Sequence, residues 1–417
     1  MKFRSYAPAL LTALLALTAC RDSNDGNADT LVILGSLTGV GQEIVEEAFA
    51  PFTAETGITV VYEGTDAFTT VLPIRIAGGD VPDLAIFPQP GLMSDLAREG
   101  SLTPLDDVVD TATLTTAFGP DWVDLGTVDS SVYGIWMRSD PKSLVWYVPD
   151  VFETDGYSVP TSWEQLMALT EQIAAEGKTP WCFGMESGEA SGWVGTDWVE
   201  DILLRTAGPD IYDQWVAHDI PFNSPPVKEA VETFGKIVRN DRYVRGGVVG
   251  AISTPFGEAP TPMFDQPPGC YLHRQASFIT DFLPETVLPG QDTRVFLLPG
   301  EDATAPLLTG GLLFAMTNNS PAAQAAMQYL ATATPHNSWA ARGYITPHRS
   351  VELSVYPNEG VRQMAAVLSQ AETIRFDGSD LMPAAVGSGT FWTEMVNYVS
   401  GTDVETVLTS IDASWPE

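Results

Sequence analysis

The chain has 417 residues, which is enough for two domains or one large domain with a substantial core, and we expect two lobes. Its 54 acidic residues outnumber 20 basic ones and give a formal net charge of −34, so nucleic acid is excluded as an expected partner. Acids spread along the whole chain favour a solvated surface suited to salt or solubility, although a cationic ligand would also account for them.

The N terminus has the pattern of a bacterial lipoprotein signal. Two basic residues precede an apolar run at residues 7–17, which is too short to span a bilayer, and Thr18-Ala19 lead directly to Cys20. We predict a signal peptide over residues 1–19, a lipid on Cys20 and a polar tether over residues 20–28. The alternative is an ordinary secretory signal that contains a cysteine. We expect the mature protein to be extracytoplasmic and anchored to the cell membrane.

Strands and helices alternate in the first third of the folded region. Residues 31–34 form a predicted strand, and the apolar spacing of residues 42–56 predicts an amphipathic helix. A strand at residues 58–64, a helix over residues 68–77 and a strand within residues 82–89 follow. Strands separated by helices imply parallel crossovers, and therefore an open α/β sheet that is covered on both faces.

Polar residues follow each of these three strands. In an open parallel sheet, ligands bind beyond the carboxyl ends of the strands. Ser36, Thr38, Asp66 and Gln89 lie in the loops at those ends and can hydrogen-bond to hydroxyl groups. Ordinary turn and cap chemistry is the alternative interpretation.

Later segments repeat the alternation. Residues 143–149 predict a buried strand, and Ser162 is the predicted N-cap of the helix that follows. A further helix is predicted to end near residue 240, and a loop rich in Gly and Pro occupies residues 246–269. Residues 312–316 predict another strand.

Two cysteines remain after Cys20. Cys182 and Cys270 form an even pair in an exported chain without competing thiols, so they predict one disulfide. The alternative is a pair of unlinked cysteines that are buried as small apolar residues.

Common catalytic and cofactor motifs are absent from the sequence. It contains no Gly-x-x-x-x-Gly-Lys phosphate loop, no His-Glu-x-x-His and no Gly-x-Ser-x-Gly. The four histidines are not spaced as a metal pair on a helix, so we predict neither a metal nor a cofactor.

Tryptophans are frequent, and the segment at residues 186–198 combines two of them with acids and small residues. This composition predicts a loop that presents Trp193, Asp197 and Trp198 to a ligand, followed by a helix from about residue 199 to 205. Indole faces pack on sugar rings, while carboxylates bind the hydroxyl groups. Asp197 as the cap of that helix, and tryptophan as a core residue, are the alternatives.

Several segments in order resemble extracellular solute-binding proteins of family 1, especially the binders of α-glucosides and of maltose and trehalose. The resemblance covers nearly the whole mature chain. It includes LVILGSLTGVGQEIVEEAFAPFTAETGITV, GGDVPDLAIFPQPG, VYGIWMRSDPKSLVWY, WCFGMESGEASGWVGTDWVEDILL, CYLHRQASFI and TGGLLFAMTNNSPAAQAAMQYL.

The resemblance implies a type II periplasmic-binding-protein fold, with two α/β lobes joined by crossing hinge strands. One lobe would hold residues 29–138 and 299–345, and the other residues 139–298 and 346–417. The implied ligand contacts are Ser36, Thr38, Asp66, Gln89, Trp136, Trp193, Asp197, Trp198, Gly310 and Gly311. Leu312 follows the two glycines where many relatives have tryptophan.

The leading hypothesis is therefore a monomeric, non-catalytic component of an ATP-binding-cassette importer. It would deliver a carbohydrate, an α-glucoside, disaccharide or oligosaccharide, to permease subunits in the membrane. The alternative is an exported glycoside hydrolase that takes a carboxylate pair from Asp66, Glu186, Glu189 and Asp197. A surface lipoprotein that senses or adheres is a third class.

Overall fold

The structure is a computed structural model that describes residues 30–300 and 306–416. The predicted signal peptide, Cys20 and tether lie outside the described residues. The strands of the described part are β1 (Thr30–Gly35), β2 (Thr59–Gly64), β3 (Leu84–Phe87), β4 (Thr127–Val128), β5 (Ser131–Val132), β6 (Gly134–Pro141), β7 (Leu144–Tyr147), β8 (His273–Arg274), β9 (Arg294–Leu297), β10 (Leu307–Met316) and β11 (Ile374–Phe376).

The α-helices of the same ranges differ widely in length. They are α1 (Val40–Thr56), α2 (Phe68–Gly78), α3 (Pro90–Arg98), α4 (Thr111–Phe118), α5 (Pro120–Leu125), α6 (Pro149–Asp155), α7 (Trp163–Ala175), α8 (Trp193–Thr206), α9 (Pro209–Val216), α10 (Pro225–Val238), α11 (Gly247–Ser253), α12 (Pro321–Leu330), α13 (Ala333–Ala341), α14 (Glu359–Gln370), α15 (Gly378–Leu381), α16 (Trp392–Val399) and α17 (Val404–Asp412). Across these described helices, none combines the length and the apolar character needed to cross a bilayer.

The first lobe is built on parallel strands, as predicted. β1 pairs in parallel with β2 on one side and with β3 on the other, and α1 and α2 make the crossovers. The helix α1 covers the sheet with Ile44, Val45, Phe49 and Phe52, which are buried, and Gly57 ends it in the left-handed conformation. The predicted strands and helices of this region are confirmed to within about two residues at their ends.

Two antiparallel strands, β6 and β10, connect the lobes. β10 pairs with β6 along most of its length, with β3 through its second half and with β11 through its first residues. Leu308 packs in the core of the second lobe and Leu312 in that of the first, so the chain crosses between the cores within this strand. The lobe limits given above stay a proposal. Some core residues lie outside these limits: Leu308 belongs to the second core and Phe376 to the first, and Leu381 and Ala384 also pack against the first core.

The second lobe is mainly helical. The helices α8 and α10 carry much of its core, and β7 forms a small antiparallel sheet with β8 and β9. Ser162 caps α7 by accepting a hydrogen bond from the Gln165 amide, which confirms the predicted cap. Cys182 and Cys270 are joined by a disulfide, with their Cα atoms 5.3 Å apart, and lie in a third apolar cluster beside the second core.

Candidate functional site

A cavity of about 570 Å³ lies between the two cores. This volume falls within the range of about 300–1,000 Å³ that small-molecule sites occupy. Its first wall comes from the loops that follow β1, β2 and β3, where the carboxyl ends of the parallel strands meet. Ser36, Thr38, Asp66 and Gln89 all line this wall, so the structure brings these four predicted residues around one space.

The opposite wall is formed partly by the first turns of α8. Trp193 and Asp197 line the cavity four residues apart, and therefore on one face of the helix. The prediction of a loop up to residue 198 was wrong, because α8 begins at Trp193, and Asp197 is an interior helical residue and not an N-cap. Gly192 precedes the helix with φ 114°, and a Cβ there would meet the Trp392 carbonyl, so the tight turn requires glycine.

Trp198 does not line the cavity, which corrects its predicted role as a ligand contact. Its side chain is buried in the second core and packs edge-on against Trp181, with Phe234 also in contact. The reason is helical rotation: a residue next to Asp197 in a helix points about 100° away from it. Trp198 therefore faces the core while Asp197 faces the cavity.

Trp136 is also a core residue and does not line the cavity, although it was predicted as a ligand contact. Its ring packs against Trp122 and Phe376, and its indole N–H donates to the Trp122 carbonyl at 2.6 Å. The strand pairing shifts by one residue at Met137, because Leu313 faces Trp136 while Leu312 faces Arg138. A bulge of this kind interrupts the alternation of a strand, so Arg138 reaches the cavity and Trp136 does not.

The two predicted glycines have different positions. Gly311 lines the cavity, whereas Gly310 does not and lies beside the stem of Lys142. A Cβ at Gly310 would be 2.6 Å from Lys142 Cε, so this glycine makes room for the lysine.

Sequence reasoning missed a charged row in the segment that joins the lobes. Arg138, Asp140 and Lys142 all line the cavity, and their spacing of two residues puts them on one face of an extended chain. Arg138 pairs with Asp140 at 2.9 Å, and its guanidinium lies 4.4 Å from the centre of the Tyr344 ring. The alternation of charges in RSDPK was the signal that could have revealed this row.

Lys142 is the centre of a buried ionic cluster. Its ammonium donates to Asp197 Oδ1 at 2.9 Å and to Asp377 Oδ2 at 2.5 Å, and Asp380 Oδ2 lies 3.9 Å away. Arg274 lies behind Asp197 and also holds Asp201 at 3.0 Å. The cluster thus ties the joining segment to α8 and to the turn that precedes α15.

Burial controls the protonation of these acids. It raises the pKa of Asp197 to about 7, although the Lys142 ammonium opposes that shift. Burial also opposes ionisation of Asp377, but the charge of Lys142 and the hydrogen bonds that the Asp377 carboxylate accepts together outweigh it and lower that pKa to about 2. Burial and the charge of Asp377 raise the pKa of both Glu200 and Asp380 well above the usual range. Lys142 is therefore held chiefly by an ionised Asp377.

Aromatic side chains complete the cavity. Trp193 packs against Phe256 and Phe278 with ring centres 5.1 and 5.8 Å apart, and all three line the wall with Phe282. Trp392 contributes a further indole from the C-terminal part of the chain. A pyranose ring has apolar faces and hydroxyl groups. Aromatic rings in the cavity can pack on those faces, and the polar side chains can hydrogen-bond to the hydroxyl groups.

A family model for bacterial extracellular solute-binding proteins matches residues 35–335 of this chain. Over 100% of both chains, the sequence is 51% identical to the osmoprotective compounds-binding protein GgtB of Synechocystis sp.. It is also 41% identical to the α-glucosides-binding periplasmic protein AglE of Rhizobium meliloti, over 96% of this chain and 90% of that protein.

Solved structures share the fold. The solute receptor AcbH, which is described as preferring β-D-galactopyranose, superposes with a TM-score of 0.79 at 19% identity, covering 92% of this chain and 97% of that one. The apo form of RafE from Streptococcus pneumoniae superposes with a TM-score of 0.69 at 18% identity, covering 93% and 97%. At these identities the similarity supports the two-lobed α/β fold alone.

Proposed function

Because the chain belongs to the family of bacterial extracellular solute-binding proteins, we propose that it is the substrate-binding component of an ATP-binding-cassette importer for a neutral glycoside. The observation that carries the proposal is the cavity between the lobes, which combines hydroxyl-binding groups with indoles. The relatives named for α-glucosides and osmoprotective compounds support a small glycoside as the ligand. An extracytoplasmic location follows from the family.

Binding without turnover is the second part of the proposal. Of the acids considered for a hydrolase, only Asp66 and Asp197 line the cavity, and Asp197 is bonded to Lys142. Glu186 instead accepts a hydrogen bond from the Gly188 amide at 2.8 Å. A glycosidase requires two carboxyl groups that flank the scissile bond, one of them free to give a proton. The arrangement favours a binding protein.

Calorimetric titration with trehalose, maltose and sucrose tests the proposal. We expect one saturable site for at least one of these sugars, a higher melting temperature in its presence, and no release of reducing sugar during prolonged incubation. Absence of binding to all three would contradict a glycoside ligand, and sustained hydrolysis would contradict a non-catalytic role.

We further propose that lipid on Cys20 keeps the protein at the membrane beside its permease. We expect Cys20→Ala to release the protein into the soluble fraction while its sugar affinity stays unchanged, since the polar tether separates the anchor from the fold. Fractionation and titration of the variant measure the two effects separately. Retention of the variant in membranes would contradict the lipid anchor.

A further inference from the structure

Three buried groups at the cavity wall have hydrogen-bonding capacity that the described residues leave unused. The ammonium of Lys142 donates two of its three N–H groups, to Asp197 and Asp377, while Asp380 lies beyond hydrogen-bond distance at 3.9 Å. Asp197 Oδ2 and Gln89 Oε1 accept no hydrogen bond from the described residues, although the two side chains are buried. Arg274 Nη1 lies 3.5 Å from Asp197 Oδ2 as a charge contact.

These three groups come from three parts of the fold. Gln89 belongs to the first lobe, Asp197 to the second, and Lys142 to the segment between them. Gln89, Lys142 and Asp197 line the same cavity together with Asp380, whose carboxyl lies 3.9 Å from the Lys142 ammonium, so the three groups face one region. A ligand group that bonds to all three would contact both lobes at once. Buried polar atoms without hydrogen-bond partners are unfavourable, and such a ligand group would supply the missing partners.

The chemistry of the unused groups restricts what binds there. When Asp197 is ionised, above its pKa of about 7, they offer two acceptors, Asp197 Oδ2 and Gln89 Oε1, and one donor, the third N–H of Lys142. A hydroxyl group both donates and accepts, so two adjacent hydroxyls supply the two donors and the acceptor that this set requires. A carboxylate has no donor for the two acceptors, and an ammonium has no acceptor for Lys142. A ligand carboxylate would also face the ionised Asp377.

We propose that Lys142, Asp197 and Gln89 together bind one pair of adjacent hydroxyl groups on a sugar ring, and so select neutral glycosides against charged ones. The inference rests on the proposed function and makes it specific. Lys142 is the specificity-determining residue that neither the sequence motifs nor the spacing of the tryptophans revealed.

The helix α8 provides a matched control. Asp197 and Asp201 are four residues apart, both are fully buried, and both contact Arg274. Asp197 lines the cavity, whereas Asp201 is bonded behind it to Ser143 and Arg205. Asparagine at either position replaces one buried carboxyl group by an amide of the same shape, but only at Asp197 does it alter the proposed hydroxyl site.

The test is calorimetric titration of trehalose, maltose and sucrose into wild type, Asp197→Asn, Asp201→Asn and Gln89→Met. We expect Asp197→Asn and Gln89→Met each to lower the affinity for the tightest-binding of these sugars at least tenfold. Asp201→Asn should change the affinity for that sugar less than threefold. Melting curves of the ligand-free variants establish that each is folded. Lys142→Met is avoided because it leaves Asp197 and Asp377 without their cation.

Monodeoxy analogues of the tightest disaccharide then identify the hydroxyl pair. For wild type, removal of either of two adjacent hydroxyls from the sugar should lower its affinity at least tenfold. For Asp197→Asn, the same removal should lower the affinity threefold or less. The corresponding glucuronide should bind at least a hundredfold more weakly than the neutral sugar. If wild type binds none of the three sugars, the proposed function fails and this inference with it. If wild type binds but Asp197→Asn and Gln89→Met bind equally well, the inference alone fails.

Discussion

Trp193 and Trp198 belong to one helix but serve different purposes. Five residues of α-helical rotation turn the second indole about 140° from the first. Trp193 therefore faces the cavity beside Phe256, while Trp198 lies in the core against Trp181. Among the described residues the indole N–H of Trp198 has no hydrogen-bond acceptor, and the contacts of this side chain are those of its ring with the core.

Alanine substitutions should separate these two roles. We expect Trp198→Ala to lower the free energy of unfolding by about 3–5 kcal/mol, because it empties a large buried site. Trp193→Ala should change unfolding much less and should weaken glycoside binding, because it removes a surface on which a ring packs. Urea unfolding and calorimetric titration measure the two quantities. Equal loss of stability in both variants would contradict the assignment of Trp193 to the ligand.

A buried histidine should make the fold sensitive to acid. His336 bonds through Nδ1 to Thr346 at 2.7 Å and through Nε2 to the Leu330 carbonyl, and burial lowers its pKa from 6.5 to about 3. Between these two values the unfolded chain binds a proton that the folded chain does not. The contribution of His336 is therefore complete above pH 6.5 and decreases as the pH falls toward 3.

Substitution of this histidine tests that dependence. The free energy of unfolding of wild type minus that of His336→Gln should fall by up to about 1.4 kcal/mol per pH unit below pH 6.5. Urea unfolding at several pH values between 4 and 8 gives this difference. The half-buried His218 provides the control variant, His218→Gln. Parallel curves for wild type and His336→Gln would show that His336 does not contribute to acid sensitivity.

At the scale of elements, local patterns predicted what depends on neighbours in the chain. We could predict β1 and β3 from their apolar runs, and α1 from the spacing of its apolar residues. The loops that follow the strands and line the cavity could be predicted in the same way. The start of α8 and the direction of Trp136 could not. The turn before α8 lies against the Trp392 carbonyl, and the direction of Trp136 follows the bulge between β6 and β10, so both involve residues far away in sequence.

The ionic cluster was missed for the same reason. Lys142 meets Asp197, Asp377 and Asp380 only because the crossing strands bring together segments separated by 55 to more than 200 residues. No spacing rule within one segment encodes such a contact. The cysteine pair was easier to predict, because elimination left two thiols whatever the distance between them.

The disulfide joins elements that are distant in sequence and should stabilise the second lobe. Cys182 and Cys270 are 88 residues apart, so the bond restricts a long loop of the unfolded chain. We expect the double variant Cys182→Ala/Cys270→Ala to lose about 2–5 kcal/mol of unfolding free energy. Wild type measured with and without a reductant is the control. If reduction and substitution both leave the unfolding midpoint unchanged, this stabilising role is contradicted.

The whole molecule carries a large excess of negative charge. With 54 acidic and 20 basic residues, the acids of the surface repel one another more than ion pairs can offset. Several pairs that do form, such as Arg375 with Asp213, are on the surface and contribute little each. Dissolved salt should therefore stabilise the folded protein by screening the repulsion.

We expect the melting temperature at pH 7.5 to rise when sodium chloride increases from about 0.05 M to about 1 M, where the Debye length falls to about 3 Å. The same change at pH 4, where many exposed carboxylates become neutral, should raise the melting temperature less. Thermal scans at the two pH values measure both effects. A salt dependence that is equal at pH 7.5 and pH 4 would contradict an electrostatic origin.

The position of β10 also determines when the first lobe can be completed during synthesis. In the sheet, β10 lies directly beside β3, yet it is made more than two hundred residues later. A nascent chain that ends before residue 307 has an open edge at β3 and lacks Phe314 and Trp339 from its first core. Completion of the first lobe must therefore wait until the part of the second lobe at residues 139–298 has been translated. Until then the unpaired edge needs protection from aggregation.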